Sequence, residues 1–353
     1  MKKHDERDVM FSRMNYKKGT EQYEDYYRRN PNKKEIDDTL RSLPNICGEG
    51  TMSYNELNSP IAEAVFRFLG DIKKFSEGKP NEKFVEVNPE AMSAKIKKLA
   101  KYYGANLVGV TEMKDYHYYS HRGRDAETYG DEITKHHKYG IVFAVEMDKN
   151  MINRSPQVEE IIETSHGYLK AGIIGMIISY YIRELGYEAR NNMDGNYLVV
   201  APLVAEDGGL GEIGRMGLLC TKKYGPRVRL GVVTTDIPLI PDKKEEFGLK
   251  EFCRLCSRCV RTCPAKAIPT GDREECYGDL QWKIDDEKCY SRWRSLGTDC
   301  GICLSSCPFS QEISQELVES MKESKDTMIR ILKEYDEKFK IRPYIREPLD
   351  IIK

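Results

Sequence analysis

CRLCSRCVRTCP, running from Cys253 to Pro264, decides how the rest of the chain is read. Four cysteines spaced by two, two and three residues and followed by proline make the run with which thiolates hold paired [4Fe–4S] clusters. Three of them bind one cube and the fourth crosses to a second. A partner motif should follow downstream, and CGICLSSCP supplies Cys300, Cys303 and Cys307. It lacks a cysteine three positions before Cys300, so Cys289 is the substitute, with SRWRSLGTD looped out. The expected ligand sets are Cys253, Cys256, Cys259 and Cys307 for one cluster, and Cys289, Cys300, Cys303 and Cys263 for the other. Cys276 stays open as an alternative to Cys289. Zinc also takes four thiolates, but its cysteine pairs usually sit further apart and without this triple run. Cys47 and Cys220 read as ordinary buried thiols.

Nine of the 11 cysteines fall between Cys253 and Cys307, a short span of a 353-residue chain. A secreted disulfide scaffold is short and stapled along its whole length, so the clustering points to metal in a reducing, anoxic setting. The 56 Lys+Arg against 57 Asp+Glu argue against bulk attraction to nucleic acid or anionic membrane. The longest apolar stretch, Ala171 to Ile182, is 12 residues, whereas a spanning helix needs about 20. No apolar signal core or twin-arginine motif stands at the N-terminus.

Outward from the cysteines, the chain divides into four stretches. Residues 1–90 are polar and broken by Pro44 and CGEGT, an extension of short helices and loops wrapped over a core. Residues 91–245 alternate. A helix is expected over 91–103, ending at Gly104, with strands over 106–111 and 140–145. Ser155-Pro156 then opens a long helix reaching Leu185, and strands follow over 197–203 and 228–235. Residues 246–312 hold the cysteines, and 313–353 form a helical tail that packs back on the body. The class is α/β of the α+β kind.

On the long helix, advancing about 100° per residue from Tyr168 places Ala171, Gly172, Gly175 and Ser179 on its face, with Thr164 and Ser165 one turn earlier. A phenol and two hydroxyls thus share a face with small residues. Each glycine costs about 1 kcal/mol of helix stability relative to alanine, so something approaches this backbone closely: a flat macrocycle, or another helix packed small-on-small. Gly208, Gly209, Leu210 and Gly211 follow in GGLGEIGR. This loop fits neither a phosphate-cradling Walker loop nor a clean dinucleotide fingerprint. Close approach to a large planar ligand explains its glycines equally well.

These pieces in this order resemble the reductive dehalogenases, a family of corrinoid iron–sulfur enzymes. The resemblance runs from RDVMFSR and EDYYRRNP through YSHRGR, HKYGIVFAVEMD and YYIRELGYEA. It continues through GGLGEIGRMG and VVTTDIPLIPD to the two cysteine motifs. It implies a nitroreductase-like domain binding a base-off corrinoid (cobalamin), beside a ferredoxin-like domain with two [4Fe–4S] clusters. Carried over by position, Tyr168 matches the proton-donating tyrosine, Arg227 its basic partner and Asn196 the active-site asparagine, with Asn191 or Asn192 as alternatives. The face and the glycine loop (Thr164, Ser165, Ala171, Gly172, Gly175 and Gly208 to Gly211) would contact the corrinoid. A cation beside the phenol is expected to lower its pKa.

The implied reaction removes halide reductively from an organohalide. The implied electron donor is a ferredoxin or flavodoxin for a cytoplasmic protein, or a membrane quinol-linked partner for one exported with a twin-arginine signal since removed. A homodimer is compatible with this reading. DYHYYS (Asp115 to Ser120) lacks the glycine of the motif that supplies a lower histidine ligand to cobalt, in keeping with base-off binding. Two rivals remain: a corrinoid reductase resembling epoxyqueuosine reductase, and a non-catalytic electron carrier or corrinoid-handling protein.

Overall fold

The computed structural model describes residues 1–353. Three short helices open it: α1 (Met10–Asn15), α2 (Glu21–Arg29) and α3 (Lys34–Ser42). Tyr16, Tyr23, Tyr26 and Tyr27 bury one another there. α4 (Ser59–Ile72) and α5 (Pro89–Tyr102) follow. The side chain of Asn88 caps α5 by accepting from the Ala91 N–H at 3.0 Å.

The core is a four-stranded antiparallel sheet built from β1 (Leu107–Glu112), β2 (Tyr139–Glu146), β3 (Ala189–Asn192) and a last strand, Val228–Thr235, which is β6 in chain order. The spatial order is β1-β2-β6-β3. Side chains on β2 alternate in direction. Ile141, Phe143 and Val145 therefore enter one apolar layer with Ile174, Ile178 and Ile182 of the long helix. Val142 and Ala144 enter another with Val204 and Ala205. Helices thus cover both faces.

Between β2 and β3, the chain forms the short α6 (Lys149–Ile152) and the 27-residue α7 (Val158–Glu184). α7 starts later than Ser155-Pro156 suggests. That dipeptide lies in a turn, with Ser155 N–H bonded to the Ile152 carbonyl and Gln157 N–H to that of Arg154. The strand expected over 197–203 is absent. Ala201-Pro202 instead opens α8 (Ala201–Asp207), where proline in the first turn costs no hydrogen bond. The fourth strand is the buried, polar ARNN of β3. A small hairpin, β4 (Glu212–Ile213) with β5 (Leu219–Cys220), completes this part.

The cysteine region is built from α9 (Leu249–Cys256), α10 (Arg258–Thr262), the hairpin β7 (Glu274–Cys276) and β8 (Asp279–Gln281), α11 (Asp286–Leu296) and α12 (Ile302–Ser305). The tail is two helices, not one: α13 (Gln315–Met321) and α14 (Lys325–Phe339). Ser324 breaks them by capping α14 through the Thr327 N–H. Val318, Met321, Met328 and Ile331 pack with Phe252, Phe309 and four buried cysteines, so the tail seals the cysteine region. No helix is long and apolar enough to cross a membrane.

Candidate active site at the junction of two cavities

Eight of the cysteines converge in two groups. Burial raises the Cys253 thiol well above its ordinary pKa, and so does the proximity of Cys307, Cys259 and Cys256. Cys289 is pushed up to about 12 by burial and by Cys300 and Cys263. Cys303 is raised by burial and by Cys300, Cys289, Cys259 and Cys263, so the two groups adjoin. Cys276 sits on the β7–β8 hairpin and is not part of the cavity wall to which Cys289 belongs. Most of these buried, crowded thiols (Cys253, Cys256, Cys259, Cys289, Cys300 and Cys303) resist ionising unless a cation takes their charge. The donor set therefore suits thiolate-bound iron. Cys220 lies against Cys307, a contact its spacing did not suggest.

Cys263, Cys289, Cys300 and Cys303 also form one wall of a mostly apolar cavity of about 630 Å³. A second cavity of about 250 Å³ runs between α7 and β6. Phe11, Arg124, Tyr168, Asp194, Leu218 and Arg229 line both, so the two are continuous. Tyr168 stands at the junction. The Arg229 guanidinium lies over its ring, 5.0 Å from the centroid. Arg229 Nη2 donates to Thr164 Oγ1 at 2.6 Å and to Asp299 Oδ2 at 3.2 Å. Gly167 makes this possible, because a Cβ there would stand 2.5 Å from Arg229 Cγ.

Arg229 therefore occupies the place expected of Arg227. Arg227 is fully buried elsewhere. Its Nε donates to the Ser310 carbonyl at 2.9 Å and its Nη1 to Glu146 Oε1 at 3.0 Å and to the Met147 carbonyl. Positions 227 and 229 share a parity on the strand, but Arg227 precedes β6, where loop carbonyls capture it. The phenol also behaves differently from expectation. Burial raises the Tyr168 pKa above the ordinary phenol value, and the opposing pull of Arg229 does not overcome it. Glu160, beside Asp299, is pushed up to about 8 by burial first and by Asp299 second.

Of the small-residue face, Ala171 and Gly172 line the second cavity. Gly175 does not: the Asn191 side chain fills the space its Cβ would take. Thr164 serves through Arg229, while Ser165 bonds the Ile162 carbonyl of its own helix. The glycine loop lines neither cavity. Gly208 packs on Val142, Gly209 on the Lys243 carbonyl and Gly211 on that of Cys220, while Leu210 is core. Close approach of the protein's own atoms accounts for these glycines. Asn196 is tied up in a loop, accepting from Arg190 at 2.6 Å and donating to the Lys73 carbonyl at 3.0 Å. Asn192, not Asn191 or Asn196, borders the second cavity.

Could this cavity accept a macrocycle fringed with amides? Its lining leaves three buried polar atoms without partners: Glu160 Oε2, Arg229 Nε and Arg292 Nε. Buried polar atoms ordinarily find partners. An apolar chamber with unpaired donors and acceptors on its wall suits a large ring with a polar fringe.

Residues 252–311 match the 4Fe-4S dicluster domain family. A tetrachloroethene reductive dehalogenase of Sulfurospirillum multivorans is 37% identical over 178 residues, covering 48% of this chain and 35% of that protein. The fold resembles a solved catabolic reductive dehalogenase in complex with 3-bromo-4-hydroxybenzoic acid, with a TM-score of 0.73 at 23% identity. That match covers 86% of this chain and 44% of the other. A second reductive dehalogenase structure, described as suggesting a mechanism for B12-dependent dehalogenation, gives a TM-score of 0.71 at 24% identity, covering 86% and 46%. The matched region is thus less than half the length of each of these proteins. Over about half its length the chain is thus similar in sequence to a tetrachloroethene reductive dehalogenase, and over most of it the fold is that of the two solved structures.

Proposed function

We propose that this protein removes halide reductively from an organohalide in the chamber between α7 and the cluster cysteines. One observation carries the reading: Tyr168, capped by Arg229, faces a cavity whose other wall is Cys263, Cys289, Cys300 and Cys303. A proton source and an electron source thus meet across one apolar space. The balance is an organohalide plus two electrons and one proton, giving the dehalogenated product and halide.

The ligand sets are the two groups of four that the fold gathers, with Cys289 and not Cys276 in the second. A corrinoid would be held by Ala171, Gly172 and Asn192 on one side and by the unpaired Glu160, Arg229 and Arg292 on the other. When bound, it supplies a low-valent cobalt able to break carbon–halogen bonds. The chain does the rest. Tyr168 keeps its proton on Oη, because burial holds the phenol neutral, and delivers it to the carbon that loses halide. Arg229 positions the ring and favours the phenolate as the proton leaves. Phe11, Phe66 and Trp293 exclude water from the chamber. A low-potential ferredoxin or flavodoxin, or a membrane quinol-linked partner, feeds the clusters.

Anaerobic purification with added cobalamin should give stoichiometric cobalt, and reduced methyl viologen should then drive halide release from aryl or alkyl halides. Tyr168→Phe should lower turnover by about 10²–10⁴-fold with cobalt and iron unchanged. Unaltered turnover in that variant, or no cobalt bound by the wild type, would overturn the reading.

A further inference from the structure

We propose that His137, Glu188 and Asp236 form a divalent-metal site at the end of β6 far from Arg229, separate from the cluster cysteines. The sheet register brings them together. Tyr139 of β2 and Ala189 of β3 both pair with Thr235 of β6. His137 lies just before β2, Glu188 just before β3 and Asp236 just after β6, so three neighbouring strands present one donor each at one edge. Those donor atoms all lie within 4.8 Å of one another.

The imidazole carries the inference. His137 is only 9% exposed, yet its Nε2 has no hydrogen-bond partner. Its Nδ1 lies 2.9 Å from Thr234 Oγ1, a hydroxyl that also accepts from Asn192 Nδ2 at 3.3 Å. A proton on Nδ1 directed at that oxygen leaves the Nε2 lone pair facing the carboxylates, which is how metal-binding histidines are oriented. Nε2 and Glu188 Oε2 stand 3.6 Å apart. That is long for a hydrogen bond. It is close to the ~3.4 Å between two ligands that each sit ~2.1 Å from one tetrahedral zinc.

Two neighbouring groups compete. Lys135 pairs with Glu188 in an exposed ion pair, and the Lys138 N–H donates to Asp236 Oδ1 at 2.8 Å. The second leaves Asp236 its other oxygen. One imidazole and two carboxylates suit a first-row divalent ion such as zinc, with a remaining position open to the adjoining cleft. The ion would pin three strand ends.

The test uses the whole protein, purified anaerobically with its clusters, equilibrated with zinc chloride and desalted through a weak chelator. Wild type should retain a single equivalent of zinc and gain thermal stability from it. His137→Gln and Glu188→Gln should bind more than about a hundred-fold more weakly, and Thr234→Val about 10–100-fold more weakly, all with unchanged iron. Lys135→Met should bind more tightly, because it frees Glu188. Equal zinc retention in wild type and His137→Gln would overturn the proposal. So would retention in neither wild type nor Lys135→Met.

Discussion

Gly167→Ala separates local propensity from tertiary geometry by sign. Within a helix such a change ordinarily stabilises by about 1 kcal/mol. Here the added methyl would lie 2.5 Å from Arg229 Cγ and 3.1 Å from Arg229 Cβ, against ordinary carbon contacts of about 3.5–4.0 Å. Arg229 must therefore retreat by about 1 Å. The atoms in the way are the root of its side chain, not a flexible tip. Overpacking costs about 1–3 kcal/mol. Weakening the charge-assisted bonds to Thr164 and Asp299 costs about 1.5–3 kcal/mol more. After the helix gain, the variant should be less stable by about 1.5–5 kcal/mol. A shift of that size beside the reacting atoms should also lower turnover by about 10²-fold. Gly70→Ala on α4 is the control, because no atom lies within 4 Å of its added methyl. Anaerobic urea denaturation and a halide-release assay read both effects. A Gly167→Ala protein that gains stability alongside Gly70→Ala, with unchanged turnover, refutes the claim that this glycine makes room for Arg229.

Arg227→Met should unfold at lower denaturant, by about 2–4 kcal/mol, because the Ser310 and Met147 carbonyls lose a buried donor. A variant of full stability and altered pH–rate profile would instead return Arg227 to the phenol. Cys289→Ser should lose iron from one cluster while Cys276→Ser keeps the wild-type content, and the reverse pattern in iron analysis would exchange their roles. Glu160, pushed up to about 8, holds a proton in the folded chain that the unfolded chain releases above about 4.5. Stability should therefore fall as pH rises from about 4.5 through 8. Glu160→Gln should flatten that slope in melting curves, and an unchanged slope would show that the carboxyl is ionised in the fold.

The grouping of the cysteines and the cavity-facing position of Tyr168 were legible because their signals are local: spacing along the chain, and a 3.6-residue period on one helix. Arg229 was not. Strand parity puts 227 and 229 on one face, and only the carbonyls of Met147 and Ser310, brought in from distant segments, decide which arginine is taken. The glycine loop misled for a related reason. Gly208, Gly209 and Gly211 record that something lies close, and a sequence cannot say whether that is a ligand or Val142, Lys243 and Cys220. β3 was missed because Arg190, Asn191 and Asn192 carry no apolar alternation. Their burial is supported by partners such as the Gly172 carbonyl and Thr234. The Ala201-Pro202 helix start could have been read, since proline suits a first helical turn and not an inner strand.

The direction of the Tyr168 shift bears on what kind of acid the site holds. Reasoning from a cation alone gives a phenol made more acidic, even a standing phenolate. In the fold, burial is the larger effect and Arg229 only offsets part of it, its charge being shared with Thr164 and Asp299. A phenolate could not donate. A neutral phenol of raised pKa parts with its proton only to a strongly basic acceptor, which a carbon losing halide with two electrons becomes and water does not. On the proposed reading, the same burial that makes Tyr168 a reluctant acid makes it a selective one. On that reading Arg229 acts at the moment of transfer, when the oxygen gains charge beneath it. It follows that Arg229→Lys, which keeps the charge but not the planar guanidinium held over the ring by Thr164 and Asp299, should lose turnover while Tyr168 stays protonated at neutral pH. Wild-type turnover in that variant would mean that charge alone, without the anchored geometry, is what the phenol requires.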